Sequence, residues 1–572
     1  MREAIHEIEK FTDLKDMLNK TVEKFGSRPA YVFKKEEEGK LKEITYNEFK
    51  SDIDGLGTAL INLGLKDKRV AVIGNNRYEW AVSYLSVTNG TGIVVPLDKA
   101  LPNNEIESLI MRSEVEAIIY ASKYDEIMEE LKDKKNTNLK YFISMDLEES
   151  TNGVISFRKL IEKGKEQIEN GDKKFLDAII NPDVMGIMLF TSGTTSQSKA
   201  VMLSHKNIVS DLMNISSVLY IDENDRFLSF LPLHHTFECT AGFLFPISRG
   251  SSIAFCEGIR HIADNIKEYE ITIMVSVPVL YEGMCKKVMK AIENQGKSKT
   301  VNIGMKLSNV LLKVGVDVRN KLFKQIHDNL GPKLRLLVAG GAALDPETEK
   351  FFNGLGIRMA QGYGLTETSP VIAVEDDKFI RNGSIGKALP ELEVKIKDAN
   401  EEGIGELLVK GPTVMLGYYQ NEEATKETID EEGWLNTGDL AKIDKDGFIF
   451  ITGRKKFVIV LKNGKNVYPE ELEILINKIA GVTESFVYGK EEEDGNYKVS
   501  AKIVYDKDIM KDIYGLEDKQ EIKEKLWQEI KRINRTMPTY KYIKEISVTD
   551  EELIKTTTKK IKRQEEMKKI TL

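Results

Sequence analysis

Apolar residues in the first half of the chain fall into short dense runs, separated by longer stretches in which they recur every three or four positions. The runs VAVIG at 70–74, GIVVP at 92–96, AIIY at 117–120 and VMGIMLF at 184–190 are rich in β-branched residues and free of charge. That is the signature of strands buried on both faces. Between them, 46–63 and 104–113 space their apolar residues as helices do. Strand and helix in alternation predict an α/β fold. The pattern resumes with strands expected at 227–231, 271–275 and 334–338, and the lysine-rich span 281–333 reads as an inserted helical pair. Within it, 286–299 reads as a solvated helix face.

From Ser384 the texture changes to hairpins. ELEVKI at 391–396 and GELLV at 405–409 flank a Gly-rich turn. A domain boundary is expected within 439–456, followed by a helix at 470–479, a strand at 498–504 and a helix at 521–534. The expected architecture is therefore a large α/β domain over 1–453 with a β-rich extension, then a small α+β domain over 454–572. No internal repeat is evident.

Composition narrows the classes of function. A chain of 572 residues with 41% hydrophobic and 30% charged content is globular and long enough for several cores. A formal charge of -8 argues against general nucleic-acid binding, which needs a concentrated basic face. Cys239, Cys256 and Cys285 lack metal-ligand spacing, and their odd number suits a reducing, cytoplasmic setting. The first ten residues are too acidic and polar for a signal peptide, and no apolar run is long enough to span a bilayer. Peripheral membrane contact stays open, because apolar ligands often require it.

Candidate chemistry begins at TSGTTSQSK, 191–199. Thr191, Ser192, Gly193, Thr194 and Thr195 offer hydroxyls and backbone donors at the exit of a predicted strand, and Lys199 offers one long cation. Those are the parts of a phosphate loop. The common nucleoside triphosphatase pattern fails, since Ser198 and Ala200 occupy its required Gly and Ser/Thr places. By composition the stretch reads equally as a Ser/Thr-rich turn between a strand and a helix. YGLTETSP at 363–370 can stack a base on Tyr363 and hold a divalent ion on Glu367, or it can be a Gly/Pro turn. Gly340, Gly341 and Ala342 let backbone approach a planar ring. Asp439 suits ribose hydroxyls or caps a turn. His234 and His235 have no third ligand at metal spacing, so one of them reads as flanking an apolar slot. KKIKR at 559–563 reads as a solvated tail, or as a turn in which Thr556, Thr557 and Thr558 hold one lysine in place.

In this order the segments resemble the adenylate-forming acyl-CoA synthetase superfamily, most closely its long-chain fatty acid:CoA ligases, over about 31–563. The family phosphate loop, SGTTGxPKG, is matched at Ser192, Gly193, Thr194, Thr195 and Lys199. Ser196 and Ala200 stand for glycines and Ser198 for proline. The resemblance implies ATP, Mg²⁺ and CoA as reactants and cofactor, a fatty acid as substrate, and a mobile C-terminal domain. It implies that Tyr363 and Gly364 hold adenine with Gly340, Gly341 and Ala342 close by, that Thr366 meets the α phosphate or carboxylate, and that Glu367 ligates Mg²⁺. Asp439 and Arg454 fall at the ribose positions, and His235 beside the carboxylate and thioester tunnel. GRKK at 453–456 resembles the hinge with Lys456 as pivot, and Gly464 lies in the loop that meets pantetheine. KTTTKKIKR at 555–563 resembles KTxxGKIxR, which makes Lys560 the adenylation lysine, with Lys559 where glycine is usual. NNRYEW at 75–80 resembles a segment of fatty-acyl members, and Phe237, Ala241, Gly242 and Phe243 suit an acyl slot. Rival readings are a medium-chain, aryl or acyl-carrier-protein ligase, and a silent adenylate-binding scaffold motivated by Ser196, Ser198, Ala200 and Lys559.

Overall fold

A computed structural model of the chain describes residues 2–34, 41–134, 136–191, 198–462, 465–492, 497–556 and 560–571. It divides into two compact units: 1–393 with 409–435, and 394–408 with 436–572.

The first unit is built on two large sheets. In one, the order is Gly417–Tyr418, Lys199–Ser204, Met185–Thr191, Gly92–Pro96, Lys68–Ile73, Ala117–Tyr120, Tyr141–Ser144 and Val154–Ser156. The last six run parallel, and the first two join antiparallel. Helix Asn103–Ser113 covers this sheet by sinking Ile106, Leu109 and Ile110 among Ile73, Val95, Ile118 and Met188. The second sheet has nine strands, of which Arg358–Gly364, Leu336–Ala339, Ile273–Ser276, Arg226–Ser229, Ser252–Phe255 and Pro29–Lys34 are parallel. The predicted apolar runs thus supply the parallel strands, whose central residues are buried.

Two sequence expectations change here. The residues after the 191–199 stretch form a second strand, Lys199–Ser204, antiparallel to Met185–Thr191, before helix His205–Ser216 begins. The phosphate-loop candidate is therefore flanked by two antiparallel strands, paired as far as Thr191 and Lys199, and not by a strand and a helix. The insertion is four helices rather than a pair: Pro278–Asn294, Ser298–Lys313, Arg319–Leu322 and Lys324–Leu330. Gly296 and Gly315, both at positive φ, interrupt what the lysine-rich pattern leaves continuous. Among the described residues, no helix is long and apolar enough to cross a membrane.

The second unit carries a four-stranded sheet, Glu393–Lys397, Gly405–Lys410, Leu435–Ile443 and Ile449–Arg454. It also carries a three-stranded one, Val482–Glu491, Tyr497–Tyr505 and Glu545–Thr549. Helices Pro469–Ile476 and Lys519–Asn534 close the latter's core with Leu472, Ile476, Ile522, Leu526 and Ile530 against Val487, Ala501 and Ile503.

Candidate active site

In the first unit, Thr191 and Lys199 are the last paired residues of the hairpin, and the Thr191 hydroxyl donates to the Lys199 carbonyl at 3.4 Å. Ser192, Gly193, Thr194, Thr195 and Ser196 lie outside the described residues. The base of the hairpin is held from a distant helix. The Arg112 guanidinium donates to the Ser198 carbonyl at 2.5 Å and to its hydroxyl at 3.2 Å, and lies 5.4 Å from the Phe190 ring centroid. One side chain therefore grips both strands where they leave the sheet. A serine in place of proline gives up a fixed φ, and its hydroxyl supplies an added contact instead.

Lys199 turns its ammonium toward Tyr418, 4.7 Å from the ring centroid. The Tyr418 hydroxyl donates in turn to Glu367 Oε1 at 2.9 Å. Burial, then the Glu367 charge, pushes the phenol above its ordinary range, so it stays a donor at neutral pH. Glu367 sits in a single helical turn, Thr366–Thr368, and its carbonyl accepts from the Met415 amide at 2.9 Å. Among the described residues no donor reaches its other carboxylate oxygen, nor do three or more His, Cys, Asp or Glu gather into an all-protein metal cage. One hard carboxylate is the donor set of a magnesium ion that keeps water and phosphate oxygens, so Glu367 fits that ion.

The backbone before Glu367 leaves little freedom. Tyr363 and Gly364 end strand Arg358–Gly364, and a Cβ built on Gly364 would stand 1.7 Å from the Pro370 carbonyl. Only glycine fits there. The Thr366 hydroxyl accepts from buried Thr236 at 3.0 Å. Gly340 follows strand Leu336–Ala339, its amide donating to the Ser276 carbonyl, and a Cβ on it would fall 2.6 Å from the Phe237 ring. Gly341 has φ +83° and, with Ala342, is exposed. His235 is half-buried, and its Nδ1 accepts from the Phe237 amide at 3.3 Å. His234 instead lies 3.3 Å from Asp98.

The candidate acyl segment meets the 75–80 segment through packing and hydrogen bonds. Phe243 packs edge-on against Trp80 and Tyr84, with centroids 6.0 and 5.7 Å apart. Asn76 donates to the Leu231 carbonyl at 2.7 Å and to Ser229 Oγ at 3.0 Å. Ser229 donates in turn to Glu238, whose carboxyl burial pushes up to about 8.

In the second unit, Asp439 and Arg454 face each other across an antiparallel pair, with Arg454 Nε 2.8 Å from Asp439 Oδ1. Arg454 also donates to the Thr437 carbonyl at 3.2 Å. Lys456 follows in the turn Lys455–Phe457, where burial first and Arg454 second push its ammonium down to about 8, against the pull of Asp439. Amine-selective labelling of Lys456 should accordingly titrate with a midpoint near pH 8. Arg454→Ala should raise that midpoint and Asp439→Asn lower it; an ordinary lysine midpoint in the wild type would refute this environment.

Lys560 is exposed. Its amide donates to the Thr556 hydroxyl at 3.1 Å, its carbonyl accepts from the Thr556 amide at 2.8 Å, and Lys555 bridges Ile561. Arg563 anchors the following helix: its buried guanidinium pairs with Glu473 and lies 5.3 Å from the Phe457 and Phe486 ring centroids. Gly464 and Lys559 lie outside the described residues. The sequence reading missed Arg112 and Tyr418. The tyrosine had a local signal in GYY at 417–419, whereas the arginine had none near the loop.

The model of the AMP-binding enzyme family matches residues 18–419, and that of the AMP-binding enzyme C-terminal domain matches 456–570. A peroxisomal long chain acyl-CoA synthetase of Arabidopsis thaliana is 28% identical over 499 residues, covering 83% of this chain and 70% of the relative. A chloroplastic long-chain-fatty-acid–[acyl-carrier-protein] ligase of the same plant is 26% identical, covering 90% and 79%. The crystal structure of the anthranilate CoA ligase AuaEII in complex with anthranoyl-AMP superposes with a TM-score of 0.76 at 21% identity, covering 98% of each chain. At that identity the likeness speaks for the α/β fold with its separate C-terminal domain.

Proposed function

This chain belongs to the AMP-binding enzyme family, and on that premise we propose that it is an ATP-dependent ligase that activates a long-chain fatty acid and passes the acyl group to CoA. A carboxylate is a poor acyl donor because oxide would have to leave. In the first step its oxygen attacks the α phosphorus of ATP, the bond to pyrophosphate breaks, and an acyl adenylate forms. In the second, the CoA thiol adds to the acyl carbonyl and gives up its proton as AMP leaves. The observation that supports this reading is the run Lys199, Tyr418, Glu367, in which one phenol meets an ammonium over its ring and a carboxylate at its hydroxyl; the cation would meet phosphate and the carboxylate a metal ion.

Thr191 and Lys199 would hold the pyrophosphate side, Tyr363 would stack on adenine between Gly364 and the Gly340–Ala342 backbone, and Thr366 would meet the α phosphate. Asp439 and Arg454 would take the ribose hydroxyls. Magnesium at Glu367 would supply charge neutralisation of the phosphate oxygens. Lys560 would meet the charge developing between carboxylate and phosphate. His235 and the 237–243 helical turn would flank the acyl carbonyl and chain. The two steps need different surroundings at one carbonyl, which a rotation of 454–572 about Lys456 would provide, withdrawing Lys560 and bringing Gly464 toward pantetheine.

Long-chain preference is supported by the relatives' names and by the apolar surroundings of 237–243. Each buried methylene is worth ~0.8 kcal/mol, about fourfold in affinity. Across saturated acids, kcat/KM for thioester formation should therefore climb with chain length to a plateau at the long-chain acids. Product from benzoate but none from palmitate would overturn the long-chain assignment. A second acceptor is favoured by the 26% identical carrier-protein ligase; transfer to acyl carrier protein without transfer to CoA would select it.

A further inference from the structure

Helix Ser298–Lys313 plays no part in the site described above. Its Gly304 and Ser308 face inward, with Gly304 packed closely beneath Leu322 and Phe323. An adjoining side, about a third of a turn round the helix, carries Ile303, Leu307, Val310 and, one position past the helix, Val314, which are 66%, 55%, 61% and 73% exposed. Their spacing of four, three and four places all of them on one stripe. Isolated exposed apolar residues are ordinary, but a continuous exposed stripe marks an interaction surface.

Beside the stripe runs a second row. Lys299, Lys306 and Lys313 recur at sevens, so they line one flank of it. Among the described residues no carboxylate pairs with any of the three. The preceding helix, Pro278–Asn294, adds exposed Lys286, Lys287 and Lys290. Across 285–314 seven lysines stand against a single acid, Glu293, in a chain whose net charge is -8. This stretch is therefore locally basic within an acidic chain.

An apolar stripe bordered by lysines is the pattern of a helix that lies in a membrane interface. The stripe enters the boundary between headgroup and acyl chain, and the lysine stems stay beside it while their ammonium groups reach phosphate. A second copy of this chain is a poor occupant, since an isologous contact would set one lysine cluster against another. We infer that helix Ser298–Lys313, with the lysines of Pro278–Asn294, docks on an anionic lipid surface. The inference stands apart from the proposed reaction.

The test is flotation of the full-length protein with phosphatidylcholine vesicles, with and without phosphatidylglycerol. The protein should float with the anionic vesicles only, and added salt should release it. Leu307→Glu with Val310→Glu should weaken binding about tenfold or more. The triple change Lys299→Gln, Lys306→Gln, Lys313→Gln should weaken it about a hundredfold. Both variants should keep wild-type turnover of a water-soluble short acid, and vesicle binding can be read even if no acid is turned over. Absent or lipid-independent binding, or binding unchanged in both variants, would overturn the inference. So would a wild-type dimer that the Leu307→Glu, Val310→Glu variant dissolves.

Discussion

Replacing Lys560 with alanine should depress acid-dependent ATP/pyrophosphate exchange about 10²–10³-fold while leaving thioester formation from supplied acyl adenylate nearly unchanged. The magnitude is that of removing one preorganised charge partner from a developing anion, ~3–4 kcal/mol. The asymmetry follows from the assigned role, because once the adenylate exists the lysine has no further charge to meet. The side chain is exposed, and its backbone is held by contacts with Thr556 that alanine keeps, so the fold should survive. Equal loss in both half-reactions would argue that the lysine supports structure, and no loss in either would remove it from the site.

Glu367→Gln should cut the same exchange about 10²-fold or more, with a shift to higher magnesium requirement, while Tyr418→Phe should cost far less. The two substitutions separate charge from position. Glutamine keeps an oxygen that can accept from Tyr418, so the turn Thr366–Thr368 stays in place while the negative charge is lost. Phenylalanine keeps the carboxylate and the ring beneath Lys199 but removes the hydrogen bond that fixes Oε1. Exchange measured against magnesium concentration distinguishes them. Equal, magnesium-independent losses in both variants would mean that Glu367 acts through its contact with Tyr418 and not on a metal.

The centre of the fold was legible because strands buried on both faces leave uninterrupted β-branched runs, as at 70–74, 92–96 and 117–120. Strand Lys199–Ser204 was harder to read. KAVMLS follows a polar stretch and adjoins a helix directly, so nothing marks where strand gives way to helix. The insertion holds more helices than its composition suggests because glycine breaks such as Gly296 and Gly315 interrupt helices without altering the lysine-rich composition. Positions in the site that depend on local geometry, such as Gly364 against Pro370, lie within one motif and can be seen in the chain. Partners brought in by the tertiary fold cannot: Arg112 reaches Ser198 across 86 positions, and Tyr418 reaches Glu367 across 51. Neither pairing has a periodic signal.

Formation of an acyl adenylate is the step on which every role proposed for these residues depends. Its most direct test is incorporation of labelled pyrophosphate into ATP by the folded protein with magnesium, with and without a fatty acid. Label should enter ATP only when an acid is present, rising with chain length. Folded protein that binds ATP yet gives no acid-dependent exchange at any chain length would contradict it.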